Sequence, residues 1–209
     1  ANYLANPVLE KVAVIGSGLQ ARYQLRAVAH VRQLEGRVAV WSRDREHAET
    51  YAREMVAELG VDVGVAPDVE VALRNAGLVI TTTPSREPLV QAGWLSRGVH
   101  INAVGSDAPD KQELDVSVLA RADIVFADRL SQCSRLGEIH HAVEAGIIDA
   151  DDVAGELGDL IVGRTSGRTA EDQITVCDLT GVGVQDAAIA TLALEKAKMM
   201  GLGSELETS

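Results

Sequence analysis

A four-residue apolar run ending in glycine limits the folds open to this sequence more than anything else in it. Val12-Ala13-Val14-Ile15 reads as a short buried strand, and Gly16-Ser17-Gly18-Leu19-Gln20-Ala21 follows at once. Beyond it, Leu25, Val28, Ala29 and Leu34 recur at helical spacing across 19–34. A strand that turns on glycine into a helix leaves the first helical amides without intrahelical partners, facing whatever lies at the strand's end. Gly16 permits the tight turn, Gly18 lets backbone approach a pyrophosphate, and Ala21 is small enough for close helix–strand packing. In this strand–turn–helix context the G-x-G-x-x-A pattern, with Ser17 and Gln20 inside it, points to a bound dinucleotide. The competing reading is a turn with a purely structural role.

The same alternation continues down the chain. Apolar runs at 38–41, 61–65, 78–82, 100–104 and 123–127 read as strands, and 174–178 adds a late one. Helical patterns fall at 45–59, at 68–75 with Asp68 as its cap, and at 184–200, which is rich in Ala and Leu. Hydrophobic residues make up 46% of the chain and aromatics only 3%, so the core is aliphatic, as suits strands buried on both faces. The expected fold is α/β, a Rossmann-type doubly wound parallel sheet with helices on both faces. The tail 203–209 is polar and expected to be disordered. Residues 1–5 read as the end of a helix stopped by Asn6-Pro7, so a further segment is expected to precede them.

The net charge of −12 argues against nucleic-acid backbones and anionic membrane surfaces as partners. No apolar run approaches the roughly 20 residues that span a bilayer. Cys133 and Cys177 lack metal-ligand spacing and read as reduced structural thiols of a cytoplasmic protein. His140-His141 is the one histidine pair; adjacent helical residues are expected to diverge, and with no third ligand nearby no metal site is expected. The loop 163–169 carries Arg164 and Arg168, and either serves a site or simply connects elements.

The end of the second strand selects the ribose. Acidic residues there accept from a 2′-hydroxyl, but this chain has Ser42-Arg43-Asp44-Arg45. Ser42 with Arg43 suits a 2′-phosphate and points to NADP over NAD. The competing reading has Arg43 and Arg45 opening a solvated helix, while Asp44 turned inward suits NAD. Thr81-Thr82-Thr83-Pro84 closes the fourth strand at the carboxyl edge, where Thr82, Thr83 and Pro84 are placed to touch a cofactor. After the fifth strand, Val104-Gly105-Ser106-Asp107 sets a carboxylate just past a break at the same edge. Asp107 is there either a general acid–base group or the cap of a helix starting near Lys111.

The chain resembles the ornithine cyclodeaminase/mu-crystallin family from Pro7 to about Lys198. The resemblance rests on 12–21, on His100-Ile101-Asn102-Ala103-Val104-Gly105, on Lys111-Gln112-Glu113-Leu114 and on Asp178-Leu179-Thr180-Gly181-Val182-Gly183-Val184-Gln185-Asp186. It implies a dinucleotide domain over 7–182 and a C-terminal helix, 183–202, that returns to a substrate and dimerisation domain largely absent from this chain. A homodimer and a small amino-acid or imino-acid substrate are implied with it. Cofactor contacts fall on the glycine turn, Ser42-Arg43, Thr82-Thr83-Pro84 and Val104-Gly105. In cyclodeaminases the Gly-x-Asp-x-Pro stretch, here Gly105-Ser106-Asp107-Ala108-Pro109, carries the catalytic acid–base aspartate. The Gln185-Asp186 pattern looks most like the ectoine-utilisation branch and the imino-acid reductases. The implied activity is NAD(P)-dependent hydride transfer at a carbon–nitrogen bond, as an imino-acid reductase or a cyclodeaminase. The alternatives are a mu-crystallin-type protein that binds NADP(H) without turnover, and a regulatory redox-sensing domain. Two departures matter: Ser42 stands where the ornithine enzyme is acidic, and the family's substrate-binding Lys and Arg come from the absent domain.

Overall fold

Eight strands form one parallel sheet: β1 (Lys11–Ile15), β2 (Arg37–Trp41), β3 (Val63–Val65), β4 (Leu78–Thr81), β5 (His100–Ala103), β6 (Ile124–Ala127), β7 (Gly155–Glu156) and β8 (Thr175–Asp178). The structure is a computed structural model and describes residues 1–204. The expected tail therefore lies mostly outside the described residues. Strand order is β3-β2-β1-β4-β5-β8-β6-β7, so the winding reverses between β1 and β4. That reversal opens a crevice beyond the strand ends at which ligands bind in such sheets.

Alternation along β1 divides the core. Val12 and Val14 point to one face, where they meet Ala21, Leu25 and Val28 of α1 (Leu19–Val31) and Tyr51 and Met55 of α2 (Arg45–Leu59). Ala13 and Ile15 point to the other, against α3 (Val69–Leu73), α4 (Val116–Arg121) and α6 (Glu138–Glu144). Both faces are covered, which is why the strands read as continuous aliphatic runs.

Several element ends move from their expected places. The first helix stops at Val31, because Arg32 is extended and its guanidinium bonds the carbonyls of Asn6 and Pro7. Asp68 does cap α3, accepting from Val71 N at 2.7 Å, but that helix ends at Leu73, before Asn75 with φ 59°. No helix starts near Lys111; α4 begins at Val116, capped by Asp115, which accepts from Ser117 N at 3.0 Å. Residues 1–5 make a turn closed by Ala5 N donating to Ala1 O at 3.0 Å.

The loop 163–169 braces the fold at the edge opposite the glycine turn. Arg168 donates to the carbonyls of Leu4 (2.7 Å), Gln173 (2.6 Å) and Val99 (3.1 Å), at the starts of β5 and β8. Arg164 pairs on the surface with Asp159. The last helix, α8 (Gly183–Met199), has no buried residue, and its exposed Val184, Ile189, Leu192 and Leu194 point to different sides.

Candidate functional site

Register aligns the carboxyl ends of six strands. Trp41 pairs with Ile15, Ile15 with Thr81, Thr81 with Ala103, Ala103 with Asp178, and Asp178 with Ala127. The residues next in sequence, Ser42, Gly16, Thr82, Val104, Leu179 and Asp128, are thereby brought to one edge.

Gly16 sits at φ +111°, and an added Cβ would lie 2.6 Å from Thr82 Oγ1. It makes the turn and lets β4 close against β1, where Thr82 N and Oγ1 both donate to Ile15 O. Gly18 is different. It is the N-cap of α1 with no side-chain cap, and a Cβ there would meet nothing within 4 Å. Space in front of uncapped helical amides is what a pyrophosphate needs. Ala21 is fully buried against the sheet, and its carbonyl accepts from Tyr51 OH. Arg22, which sequence reasoning missed, braces the turn by donating to Ser17 O and Gly18 O, and pairs with Glu54.

Two chambers flank this turn. One, of about 390 Å³, is lined by Gly16, Ser17, Gly18, Ser42, Arg43 and Asp44. Asp44 is occupied as the cap of α2, accepting from His47 N at 3.1 Å, and Arg45 pairs with Glu49. Among the described residues Arg43 makes no ion pair and stands exposed at the rim. The other chamber, of about 400 Å³, includes Gln20, Val104, Gly105, Asp107, Lys111 and Gln185. Thr82, Thr83 and Pro84 line both, so one groove runs across the end of the sheet.

Asp107 is exposed in a short loop and caps no helix; its carboxylate takes Lys111 Nζ at 2.5 Å. Ser106 Oγ and His141 Nε2 both donate to Lys111 O, at 2.5 and 2.7 Å, which holds the loop shut. The pair is a carboxylate and a cation open to a chamber, able to hold or pass a proton and to attract an anionic group. Sequence reasoning named Lys111 as the start of a helix and as part of a family motif, and missed its contact with Asp107.

Behind the rim lie acidic groups that periodicity gave no reason to expect inside. Asp128 accepts from Gly181 N (2.7 Å), Thr180 Oγ1 (3.1 Å) and Cys133 Sγ (3.2 Å), anchoring the loop after β8. Burial pushes the Asp178 carboxyl up to about 7, with the Asp128 charge adding to the rise. Burial likewise raises Glu138 well above, and Glu113 above, the usual carboxylate range. Both cysteines are buried free thiols; burial pushes them up, Cys177 to about 12, so neither is a nucleophile at neutral pH.

The histidine pair departs from expectation. The rings of His140 and His141 lie 5.1 Å apart, and Glu144 brings a third ligand atom within 4.8 Å of the other two. Successive helical residues are separated by only about 100° around the axis, so long side chains still meet. The His141 Nε2 is committed to Lys111 O, however, and no metal role is assigned to the cluster.

A glycine turn, a crevice at the winding reversal and an Asp-Lys pair beyond β5 coincide with a family match over residues 1–201, to the ornithine cyclodeaminase/mu-crystallin family. The chain belongs to this family. A relative of Sinorhizobium fredii, described as an uncharacterized cyclodeaminase, is 44% identical over 208 residues, covering 100% of this chain and 62% of its own length. An archaeal alanine dehydrogenase, solved as a dimer with bound NAD, is similar at 37% identity and TM-score 0.94, over 100% of this chain and 64% of its own. The Δ1-pyrroline-2-carboxylate reductase of Thermococcus litoralis, solved with NADH and L-proline, matches at 32% identity and TM-score 0.94, over 98% and 63%. The chain thus spans somewhat less than two thirds of these family members. No helix among the described residues is long and apolar enough to cross a membrane.

Proposed function

We propose that residues 7–182 are the dinucleotide-binding domain of an NAD(P)-dependent enzyme that acts at the carbon–nitrogen bond of an amino or imino acid. The observation that carries this reading is the Asp107–Lys111 pair in a chamber that shares Thr82, Thr83 and Pro84 with the chamber of the glycine turn. One chamber is read as receiving the phosphate and ribose end of a dinucleotide, and the other as the place of proton transfer beside it.

When bound, the nicotinamide cofactor supplies hydride exchange at the carbon bearing nitrogen. The chain's own residues do the rest. Gly16, Ser17, Gly18, Gln20 and Ala21 form the turn that holds the pyrophosphate, with α1 amides directed at it. Ser42 and the exposed Arg43 receive the ribose, and their chemistry supports NADP as the preferred form, with NAD also accepted. Thr82, Thr83, Pro84, Val104 and Gly105 form the wall between the chambers. Asp107 gives or takes the proton at the substrate nitrogen or at water, and Lys111 holds its carboxylate in place.

The helix α8, covering most of 183–202, is read as returning to a substrate and dimerisation domain, and the protein as a homodimer. The bare apolar helix and the dimeric alanine dehydrogenase relative support this. The buried free thiols support a cytoplasmic setting. Gln185 lines the Asp107 chamber, and the Gln185-Asp186 pattern supports kinship with the ectoine-utilisation branch and the imino-acid reductases. The test is to follow NADH and NADPH absorbance in the full-length protein with a panel of imino acids, and product formation from diamino acids. Turnover of a member of either panel is expected; cofactor binding without any turnover overturns the reading.

A further inference from the structure

Three buried carboxylates beneath the Asp107 chamber have no ion-pair partner among the described residues. Glu113 and Glu138 are fully buried, and Asp178 is 1% exposed. Each is spent on backbone amides of another segment. Glu113 accepts from Thr83 N at 2.5 Å through one oxygen and from Gly105 N at 2.8 Å through the other. Glu138 accepts from Glu113 N at 2.8 Å and Leu114 N at 3.1 Å, so the backbone bearing Glu113 is itself held. Asp178 accepts from Ile139 N at 2.9 Å and fixes the start of α6, which carries Glu138.

Burying acidic groups with no cation near is costly, and a well-packed apolar segment would be cheaper for stability alone. What a carboxylate offers is two acceptor atoms on one rigid group, able to tie two amides at a set separation. The two amides tied by Glu113 belong to the loops after β4 and β5. Thr83 is part of the wall common to both chambers, and Gly105 opens the loop that carries Asp107 two residues later. The approach is tight: a Cβ on Gly105 would lie 2.3 Å from Thr83 O and 2.5 Å from Glu113 Oε2.

We propose that Glu113 is a positioning residue whose carboxylate sets the spacing between the cofactor wall at Thr83 and the proton-transfer loop at Gly105–Asp107. Glu138 and Asp178 hold Glu113 in turn. The proposal rests on the reading of Asp107 as the proton-transfer group. Glu113 touches neither chamber's contents and acts only through the two amides.

The test is Glu113→Gln in the full-length protein. A carboxamide keeps the shape but has one oxygen, so one of the two amides faces an NH2 group and loses its acceptor. Amide exchange at Thr83 or Gly105 should speed up at least about tenfold, and kcat should fall about ten- to hundredfold, since a displacement of about 1 Å at a reacting group costs that much. The Kd of NADH by fluorescence should change less than about threefold, because the glycine turn is untouched. Glu113→Asp, one methylene shorter, should not restore kcat. An unchanged kcat overturns the proposal. So does a loss of kcat matched by equal losses of NADH binding and of folded fraction, which marks a merely structural role.

If the parent turns over neither substrate panel, the proposed function fails instead. The positioning role is then read from the Asp107 carboxyl 13C resonance, which should move in Glu113→Gln together with the exposed amide; an unmoved resonance overturns it. Should that variant not fold, Glu138→Gln loosens the same clamp one step behind and should give the same changes, smaller in size. Absence of any change there overturns the proposal as well.

Discussion

Lys111 Nζ lies 2.5 Å from Asp107 Oδ1, an i,i+4 pair formed in a loop and not in a helix. The loop reaches that shape because Ser106 and His141 both donate to the Lys111 carbonyl. The carboxylate is thus held at the chamber without being buried.

Asp107→Asn in the full-length protein should lower turnover by roughly two to four orders of magnitude, since the amide cannot exchange the proton. Cofactor affinity should change little. Steady-state kinetics on the substrate accepted by the parent, with an NADH titration, check both. Near-normal turnover would remove Asp107 from the chemistry.

The two turn glycines should respond differently. Gly18→Val has φ −78° and open space around its new side chain, so thermal stability should hold while NAD(P)H binding is lost. Gly16→Val is strained at φ +111° and clashes with Thr82. It should cost at least about 1–3 kcal/mol from the backbone alone. Thermal melts and fluorescence titrations of both variants separate ligand access from fold; retained binding in Gly18→Val would contradict the assignment.

Arg43→Ala should weaken NADPH binding about ten- to hundredfold, the value of a hydrogen bond to a charged group, and leave NADH nearly unaffected. Parallel titrations with the two cofactors measure it. Equal changes for both would mean that Arg43 only faces solvent.

Asp178 makes stability depend on pH in a defined direction. Its carboxyl titrates at about 7 in the fold against 3.8 as the ordinary value, so between these the native state holds a proton that the unfolded chain lacks. Its contribution is full below the lower value and is lost as pH rises through the upper one. Buried His100, held well below its ordinary 6.5 mainly by burial, acts oppositely and loses stability as pH falls below that value. The difference in Tm between the parent and Asp178→Asn cancels the histidine. It should shift in favour of the variant from pH 4 to 7 and then level off. A flat difference would show that Asp178 is ionised throughout.

Much of this site was legible before any tertiary contact was known. The glycine turn, Ser42-Arg43, the threonine run and Asp107 all stand within three residues of the end of an apolar run, and strand ends are marked locally by glycine, proline and polar residues. In a parallel sheet all such ends fall on one edge, so the edge could be read without the strand order. The cap competing for Asp107 was not excluded in this way, because a polar stretch such as 107–115 has no period that tells a loop from a first helical turn.

The late strand shows where local reading stops. Residues 174–178 were recognisable as a strand, yet nothing in them says that β8 inserts between β5 and β6 and carries Asp178 into the middle of the sheet. By itself the sequence determined the main strands and the longest helices, a turn shaped for a dinucleotide, and the edge of the sheet to which the candidate residues come. It did so because backbone geometry and side-chain period are short-range properties. Only the tertiary structure decided that Glu113 meets Thr83 across 30 residues and Glu138 meets Glu113 across 25. A buried carboxylate looks like any surface acid in a linear pattern. What keeps it inside is a set of amides brought to it by other elements, and those exist only once the chain has closed around them.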